Sequence, residues 1–253
     1  MSDLLRLDGI TVRFGGLLAL SGVSLRVPAG SIAALIGPNG AGKTTCFNVI
    51  SGLQRADAGA VRFENFDYTR RPAHRRRGLG RTFQITQLFG DMTVRENVLV
   101  GLMPARPVEL YAAGLRTPAA AQVEREARVA ADALLETFDL AAFADRKASA
   151  LSLGEQRLLE LARAVAARPK LLMLDEAASG MSPAEIVTLA GHIRRLRGEG
   201  ATILLVEHNM RFVNELAEHL IVLNYGAVIF EGTLLEGVRH PAVVAAYLGR
   251  KAA

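Results

Sequence analysis

Apolar and polar residues alternate through residues 4–27 in the two-residue rhythm of strands. Leu5, Leu7, Ile10 and Val12 form one run, Val23, Leu25 and Val27 the next, and Gly15 and Gly16 mark the turn between them. Residues 31–36, Ser-Ile-Ala-Ala-Leu-Ile, are a short, nearly continuous apolar run, as in a strand buried on both faces. Three further stretches predict strands: 60–63, 171–174 and 201–207. Helical spacing takes over in between. From about residue 88 to 150 the chain turns rich in Ala, Arg and Glu. Thr93 with Glu96, Ser152 with Glu155 and Ser182 with Glu185 have the spacing of capping boxes, in which each side chain satisfies a free backbone N–H at a helix start. Pro118 is placed to open an amphipathic helix over 119–138, carried by Val123, Ala127, Ala131, Leu134 and Leu135. Pro169 closes the helix that begins at Ser152, because the residue before a proline disfavours helix. A hairpin about Tyr225 and Gly226 and a short helix over 241–248 end the chain. Short buried strands alternating with helices indicate an α/β fold with a parallel sheet.

The strongest chemical signal follows the apolar run ending at Ile36. Residues 37–44, Gly-Pro-Asn-Gly-Ala-Gly-Lys-Thr, satisfy every fixed position of the phosphate-binding loop. Gly37, Gly40 and Gly42, with the small neighbours Asn39 and Ala41, let backbone N–H groups curl toward an anion. Lys43 adds a mobile positive charge, and the Thr44 hydroxyl, followed by Thr45, suits the Mg²⁺ that travels with ATP. Two other apolar runs end in polar chemistry: Leu174 leads into Asp175 and Glu176, and Val206 and Glu207 lead into His208. Ligands of parallel α/β sheets bind at the carboxyl ends of the strands. Neighbouring strands would therefore converge Asp175 as a metal ligand, Glu176 as the base for an attacking water, and His208 and Gln84 as groups that orient the water or hold the γ-phosphate. Phe14, at the end of the first run, can stack on a base or simply pack. Ser152 and Gly154 open a second helix whose free N–H groups favour an anion. A chain that already has one phosphate cradle has no evident use for another, so this helix end is expected to serve the nucleotide of a second copy, with two ATP molecules sandwiched between two chains.

Composition narrows the field further. The 253 residues are half hydrophobic, enough for a sizeable core. No apolar run is long enough to span a bilayer and the start lacks a secretory signal, so an intracellular protein is expected. One cysteine, Cys46, excludes a disulfide framework; packing in a helix suits it better than redox sensing. The net charge of +5 is spread except at Arg70, Arg71, His74, Arg75, Arg76, Arg77 and Arg81. A solvated face is the simplest reading of that cluster, with lipid headgroups or an acidic partner as the alternative. Without aromatic interleaving or a nucleic-acid motif, it does not read as a DNA or RNA site. A soluble phosphotransferase would need an acceptor pocket and no second anion-binding helix. A DNA-repair or translation ATPase of this type would carry coiled-coil insertions or a fused second unit.

Taken together, these residues resemble the ATP-binding subunits of ABC transporters over nearly the whole chain. Residues 37–44 match Walker A, Gln84 the Q-loop, 151–155 the LSGGQ signature, 171–175 Walker B, Glu176 the catalytic base, 179–182 the D-loop and His208 the switch histidine. Phe14 stands where the family has its adenine-stacking aromatic. Leu153 and Glu155 in the signature, Ala177 after the glutamate and Ser182 in the D-loop depart from the usual residues. The resemblance implies a P-loop NTPase core over 1–87 and 165–253 that includes an antiparallel β subdomain, an inserted helical subdomain over 88–164, and a C-terminal extension over 236–250. It implies ATP hydrolysis with Mg²⁺ held by Thr44, Gln84 and Asp175, and phosphate contacts from Ser152 and Gly154. Narrower matches, Arg81-Thr-Phe-Gln84, Leu88-Phe89, residues 92–98, Arg116-Thr-Pro118 and 245–249, resemble the longer ATPase subunit of branched-chain amino-acid importers. Two membrane permeases, a second homologous ATPase, a periplasmic solute-binding protein and a peripheral place on the cytoplasmic face of the inner membrane are implied with it. Urea, short amides or aromatic acids are the other cargoes compatible with that architecture.

Overall fold

The computed structural model describes residues 2–83, 87–103 and 118–248. Six strands form the central sheet: β3 (Ile32–Ile36), β6 (Leu79–Arg81), β7 (Leu171–Asp175), β8 (Thr202–Val206), β9 (His219–Asn224) and β10 (Ala227–Thr233), in the order β10-β9-β3-β8-β7-β6. All neighbours are parallel except β9 and β10, which are joined as the antiparallel hairpin expected at Tyr225 and Gly226. A second sheet, β2-β1-β4-β5, is antiparallel and is built from β1 (Asp3–Phe14), β2 (Leu17–Pro28), β4 (Ala58–Phe63) and the short β5 (Phe66–Asp67). This is the α/β fold expected from the pattern, with an antiparallel β subdomain.

The two-residue period of strands divides the core into two layers. Ile32, Ala34, Ile36, Leu172, Leu174, Ile203, Leu205, Leu220 and Val222 face one way. They pack against α2 (Val94–Leu102), α3 (Pro118–Thr137), α4 (Leu153–Ala166), α5 (Pro183–Gly198) and α6 (Met210–Leu216). Ala33, Leu35, Met173, Leu204, Val206, Ile221 and Leu223 face the other way, onto α1 (Lys43–Ser51) and the antiparallel sheet. A sheet covered on both faces needs apolar residues at every position, which is why β3, β7 and β8 read as continuous runs. α7 (Leu234–Gly237) and α8 (Pro241–Leu248) complete the chain. No described helix is long and apolar enough to cross a membrane.

The capping boxes at Thr93, Ser152 and Ser182 all form, and each helix starts at the residue after its cap. A fourth, Thr233 with Glu236, opens α7. At the end of α4, Arg168 adopts a left-handed φ of 49° directly before Pro169.

The arginine cluster departs from the solvated face expected of it. Arg70, Arg71, His74, Arg75 and Arg77 are exposed, but Arg76 and Arg81 turn inward. Arg76 Nη1 donates to the carbonyls of Val49 (2.7 Å) and Ile50 (2.5 Å), and its Nε donates to that of Arg71 (2.8 Å). A charged donor thereby adds to the hydrogen bonding of carbonyls at the last turn of α1, where the intrahelical ladder runs out. Burial pushes the Arg76 pKa down to about 10. Composition alone could not separate these two arginines from their neighbours.

Cys46 is fully buried on α1, and that burial pushes its thiol from 9.0 up to about 12. Because the folded state holds the proton more tightly than the unfolded chain, this contribution to stability is complete below about pH 9 and is lost as pH rises toward about 12. The thiolate is the reactive form. Dithionitrobenzoate at pH 8 is therefore expected to leave the native protein unlabelled and to label one thiol per chain in guanidinium. Labelling of the native protein at the rate of a free thiol would contradict the packing.

Candidate functional site

The chain leaves β3 at Ile36 and turns through residues 37–42 into α1. Two glycines in this turn have no room for a side chain. A Cβ on Gly37 would lie 2.2 Å from the carbonyl oxygen of Leu223 on β9. One on Gly42, at φ 101°, would lie 2.7 Å from the carbonyl oxygen of Ala19 and 2.8 Å from Leu20. The loop is thus clamped between the hairpin β9–β10 and strand β2. Gly42 is also the N-cap of α1, which has no side-chain cap and no acidic residue in its first turn. The backbone N–H groups and positive dipole end of this helix start face an open cleft, the arrangement that binds a phosphate. Lys43 Nζ lies over the loop, donating to the carbonyls of Gly37 (2.7 Å) and Pro38 (3.0 Å).

The cleft, about 770 Å³, is lined by Asn39, Gly40, Gly42, Lys43, Thr44 and Thr45 of the loop and α1. Phe14 and Leu17 of the antiparallel sheet, Glu176 after β7, His208 after β8 and Tyr225 of the hairpin complete it. Residues from both sheets meet here, which spacing along the chain does not reveal. Phe14 is 49 % exposed, so its ring faces solvent and is available for stacking. Gln84 lies outside the described residues. Its neighbour Phe83 is held at both backbone groups by α4: its N–H donates to Glu160 Oε1 (3.0 Å), and its carbonyl accepts from Arg157 Nη1 (3.2 Å).

Asp175 and Glu176 sit side by side in different surroundings. Asp175 is buried at the end of β7, paired in register with Val206. Burial pushes its carboxyl up, opposed chiefly by Arg81, whose Nη2 lies 3.0 Å from Oδ2. Glu176 takes a left-handed φ of 50°, and its N–H donates to the Val206 carbonyl (2.9 Å). This sharp turn at the strand end brings Glu176, and not Asp175, to the wall of the cleft. His208 Nδ1 stands 3.9 Å from Glu176 Oε1, across the gap between the ends of β7 and β8. The described residues contain no group of three His, Cys, Asp or Glu able to cage a metal. Thr44 and Asp175 offer hard oxygens but too few to hold a cation alone, which suits Mg²⁺ completing its shell with phosphate oxygens and water.

Three supports are not evident from the sequence. Arg81, from the basic cluster, ion-pairs with Asp175. Glu207 is buried, is pushed up by that burial, and accepts a hydrogen bond from the Ala178 N–H (3.0 Å), so it shapes the turn that carries Glu176. Tyr247 of α8 is 40 % exposed; partial burial pushes its hydroxyl up, with a backbone hydrogen bond from Gly37 acting against it. The apolar run before Glu207 is the one hint the chain offers; the other two depend on chain closure.

Ser152 and Gly154 do not line the cleft. Ser152 caps α4 through Glu155, and Gly154 is packed on Glu185 of α5, whose Oε1 would lie 2.1 Å from an added Cβ. Glu185 is itself the capping partner of Ser182: its Oε2 accepts from the Ser182 N–H at 2.7 Å. Two of the departures from the usual motif thus have structural consequences. Ser182 serves as a helix cap, and Leu153 reaches over the 179–182 loop, its Cδ2 lying 2.8 Å from where a Cβ on Gly180 would be.

The profile of the family described as ABC transporter matches residues 20–179. The chain is 42 % identical over 249 residues to the high-affinity branched-chain amino acid transport ATP-binding protein BraF of Pseudomonas aeruginosa, covering 97 % of this chain and 98 % of that protein. It is 40 % identical to the corresponding protein LivG of Escherichia coli strain K12, with the same coverage. It is 38 % identical to the probable LivG of Methanocaldococcus jannaschii, covering 98 % of both chains. Among solved structures, a nucleotide-free ATP-binding cassette from an ABC transporter superposes with a TM-score of 0.85 at 35 % identity, covering 97 % of this chain and 99 % of that one. The ADP conformation of an ATP-binding cassette superposes with a TM-score of 0.83 at 34 % identity, covering 98 % of this chain and 100 % of that one. On this sequence, fold and cleft, the chain belongs to the ABC transporter family and has the fold of its ATP-binding cassettes.

Proposed function

We propose that this protein is the ATP-binding subunit of an importer and hydrolyses ATP to drive the uptake of branched-chain amino acids. The observation that carries the reading is the cleft, where the uncapped start of α1, Lys43, Glu176 and His208 meet beside an exposed aromatic. The near full-length likeness to BraF and LivG supports the choice of cargo.

Each residue then has a task. Phe14 stacks on the adenine. Backbone N–H groups of Gly40, Gly42, Lys43, Thr44 and Thr45 cradle the phosphates, Asn39 borders them, and Gly37 allows the loop its path. Lys43 exchanges its two loop carbonyls for the β- and γ-phosphates, a trade of neutral for charge-assisted hydrogen bonds. Thr44, Asp175 and Gln84 would hold Mg²⁺, which when bound would supply charge neutralisation at the phosphates. Glu176 takes the proton of the attacking water; its left-handed turn points the carboxylate into the cleft. His208 and Gln84 position that water and the γ-phosphate. Ser152 and Gly154 of this chain close the nucleotide site of a second, homologous ATPase subunit, for which Glu185 must leave the start of α4. The assembly places this chain peripherally on the cytoplasmic face of the inner membrane. There, segment 88–164 grips one of two permeases, and a periplasmic binding protein delivers the solute. Residues 236–250 extend the core at its C-terminal end.

Uptake of labelled leucine, isoleucine and valine, in cells in which this transport system is the only uptake route, tests the reading. Lys43→Ala is expected to abolish saturable uptake of all three. Loss of urea, acetamide or phenylalanine uptake with leucine entry intact would reassign the cargo.

A further inference from the structure

We propose that Arg81 is a positioning residue: it holds Asp175 by one carboxylate oxygen and ties it to the helix that carries Lys43 and Thr44. The proposal rests on the reading of Asp175 as a Mg²⁺ ligand. Arg81 stands at the end of edge strand β6, opposite Met173 of β7. Its side chain is 9 % exposed and that of Asp175 7 %, so the pair is screened from water. Nη2 meets Asp175 Oδ2 at 3.0 Å, while Nη1 donates to Asn48 Oδ1 and Ser51 Oγ on α1, both at 2.8 Å. The guanidinium plane is packed by two rings, Phe47 of α1 at 5.6 Å and Phe83 at 4.9 Å. The backbone on either side is locked as well: the Thr82 N–H donates to the Met173 carbonyl (2.9 Å), and the Asp175 N–H donates to Thr82 Oγ1 (3.3 Å).

A planar fork can reach three acceptors in two directions at once; an ammonium on a flexible stem cannot. Committing Oδ2 to Arg81 leaves Oδ1 as the oxygen not spent on that pair. Anchoring the guanidinium on α1 sets Asp175 at a constant distance from the helix that bears the other oxygen donor, Thr44. The first three residues of the Arg-Thr-Phe-Gln stretch therefore do separate work: Arg81 grips α1 and Asp175, Thr82 holds the end of β7, and Phe83, through Glu160 and Arg157, grips α4.

The test measures the affinity of the intact protein for a fluorescent N-methylanthraniloyl ATP, first in EDTA and then in saturating Mg²⁺. The gain on adding Mg²⁺ is compared for wild type, Arg81→Lys and Asp175→Asn. Residues that orient a metal ligand are worth about 10- to 100-fold in metal affinity. Arg81→Lys is expected to cut the Mg²⁺-dependent gain by about 10-fold with the affinity in EDTA unchanged. A wild-type gain in Arg81→Lys, or an equal fall with and without Mg²⁺, overturns the proposal. If Asp175→Asn also keeps the gain, the metal-ligand reading fails; if only Arg81→Lys keeps it, the Arg81 role alone fails. Should Arg81→Lys not fold, the Asn48→Ala, Ser51→Ala double variant loosens the anchor without touching the ion pair. A smaller loss of the gain supports the proposal, and an intact gain overturns it.

Discussion

Replacing Glu176 by glutamine is expected to lower ATP turnover by about 10²- to 10⁴-fold while leaving ATP binding intact, if loss of a general base sets the rate. The substitution keeps shape and removes only the capacity to accept a proton. The groups assigned to phosphate, Lys43 and the start of α1, belong to a different element and are untouched. The Glu176 side chain is 23 % exposed and lines the cleft, whereas its neighbour Asp175 is sealed against Arg81. One carboxylate is therefore placed to meet water and the other to stay fixed. Phosphate release measured beside nucleotide binding separates the two effects, and the stalled variant is expected to form dimers when ATP is added. Full turnover in Glu176→Gln would move the base elsewhere, and Glu207 and His208 would be the next groups to vary.

Gly42→Ala is expected to damage both stability and nucleotide binding. The residue sits at φ 101°, and its new methyl would lie 2.7 Å from a backbone oxygen of β2 and 2.8 Å from Leu20. The first neighbour is backbone and the second is the tip of Leu20, which is fully buried in the core, so the loop itself must move. Strain and overpacking of this kind cost about 1–3 kcal/mol each. At about 2–4 °C per kcal/mol for a chain of this size, the melting temperature should fall by several degrees. Displacing one phosphate-facing N–H forfeits a hydrogen bond to a charged group, about 1.5–3 kcal/mol, or roughly 10- to 100-fold in ATP affinity. Gly40→Ala is the control, because a Cβ there, also at positive φ, meets nothing within 4 Å. It should carry only the backbone strain. Thermal melts of the two variants side by side decide the matter, and equal melting temperatures would remove the steric argument.

Much of this site is legible in the order of the residues. The glycine loop, the strand-end carboxylates and His208 each follow an apolar run, and a parallel sheet brings such ends to one edge. Ser152 and Ser182 can be recognised as helix caps because a capping box closes within three residues. Phe14 is ambiguous in the sequence: a lone aromatic at a strand end looks the same whether it packs or stacks. Its exposure, and its place opposite the loop, depend on how the antiparallel sheet lies over the core. The basic cluster looks like a solvated face, yet two of its arginines are internal braces. Nothing in a run of arginines marks which of them will meet the end of α1 or a buried aspartate.

The division has one physical cause. Signals that close within a few residues, such as backbone curvature at glycines, strand and helix period and capping geometry, are written in the order of the residues. The sequence by itself therefore determined the phosphate loop, the elements and the family resemblance. Contacts between residues far apart in the chain exist only once the sheet has formed. The Arg81–Asp175 pair spans 94 positions, Glu207 reaches back to Ala178, and Glu185 covers Gly154. Only the tertiary structure decided that Asp175 is braced and Glu176 is open, because burial and partner choice are set by which strands lie side by side.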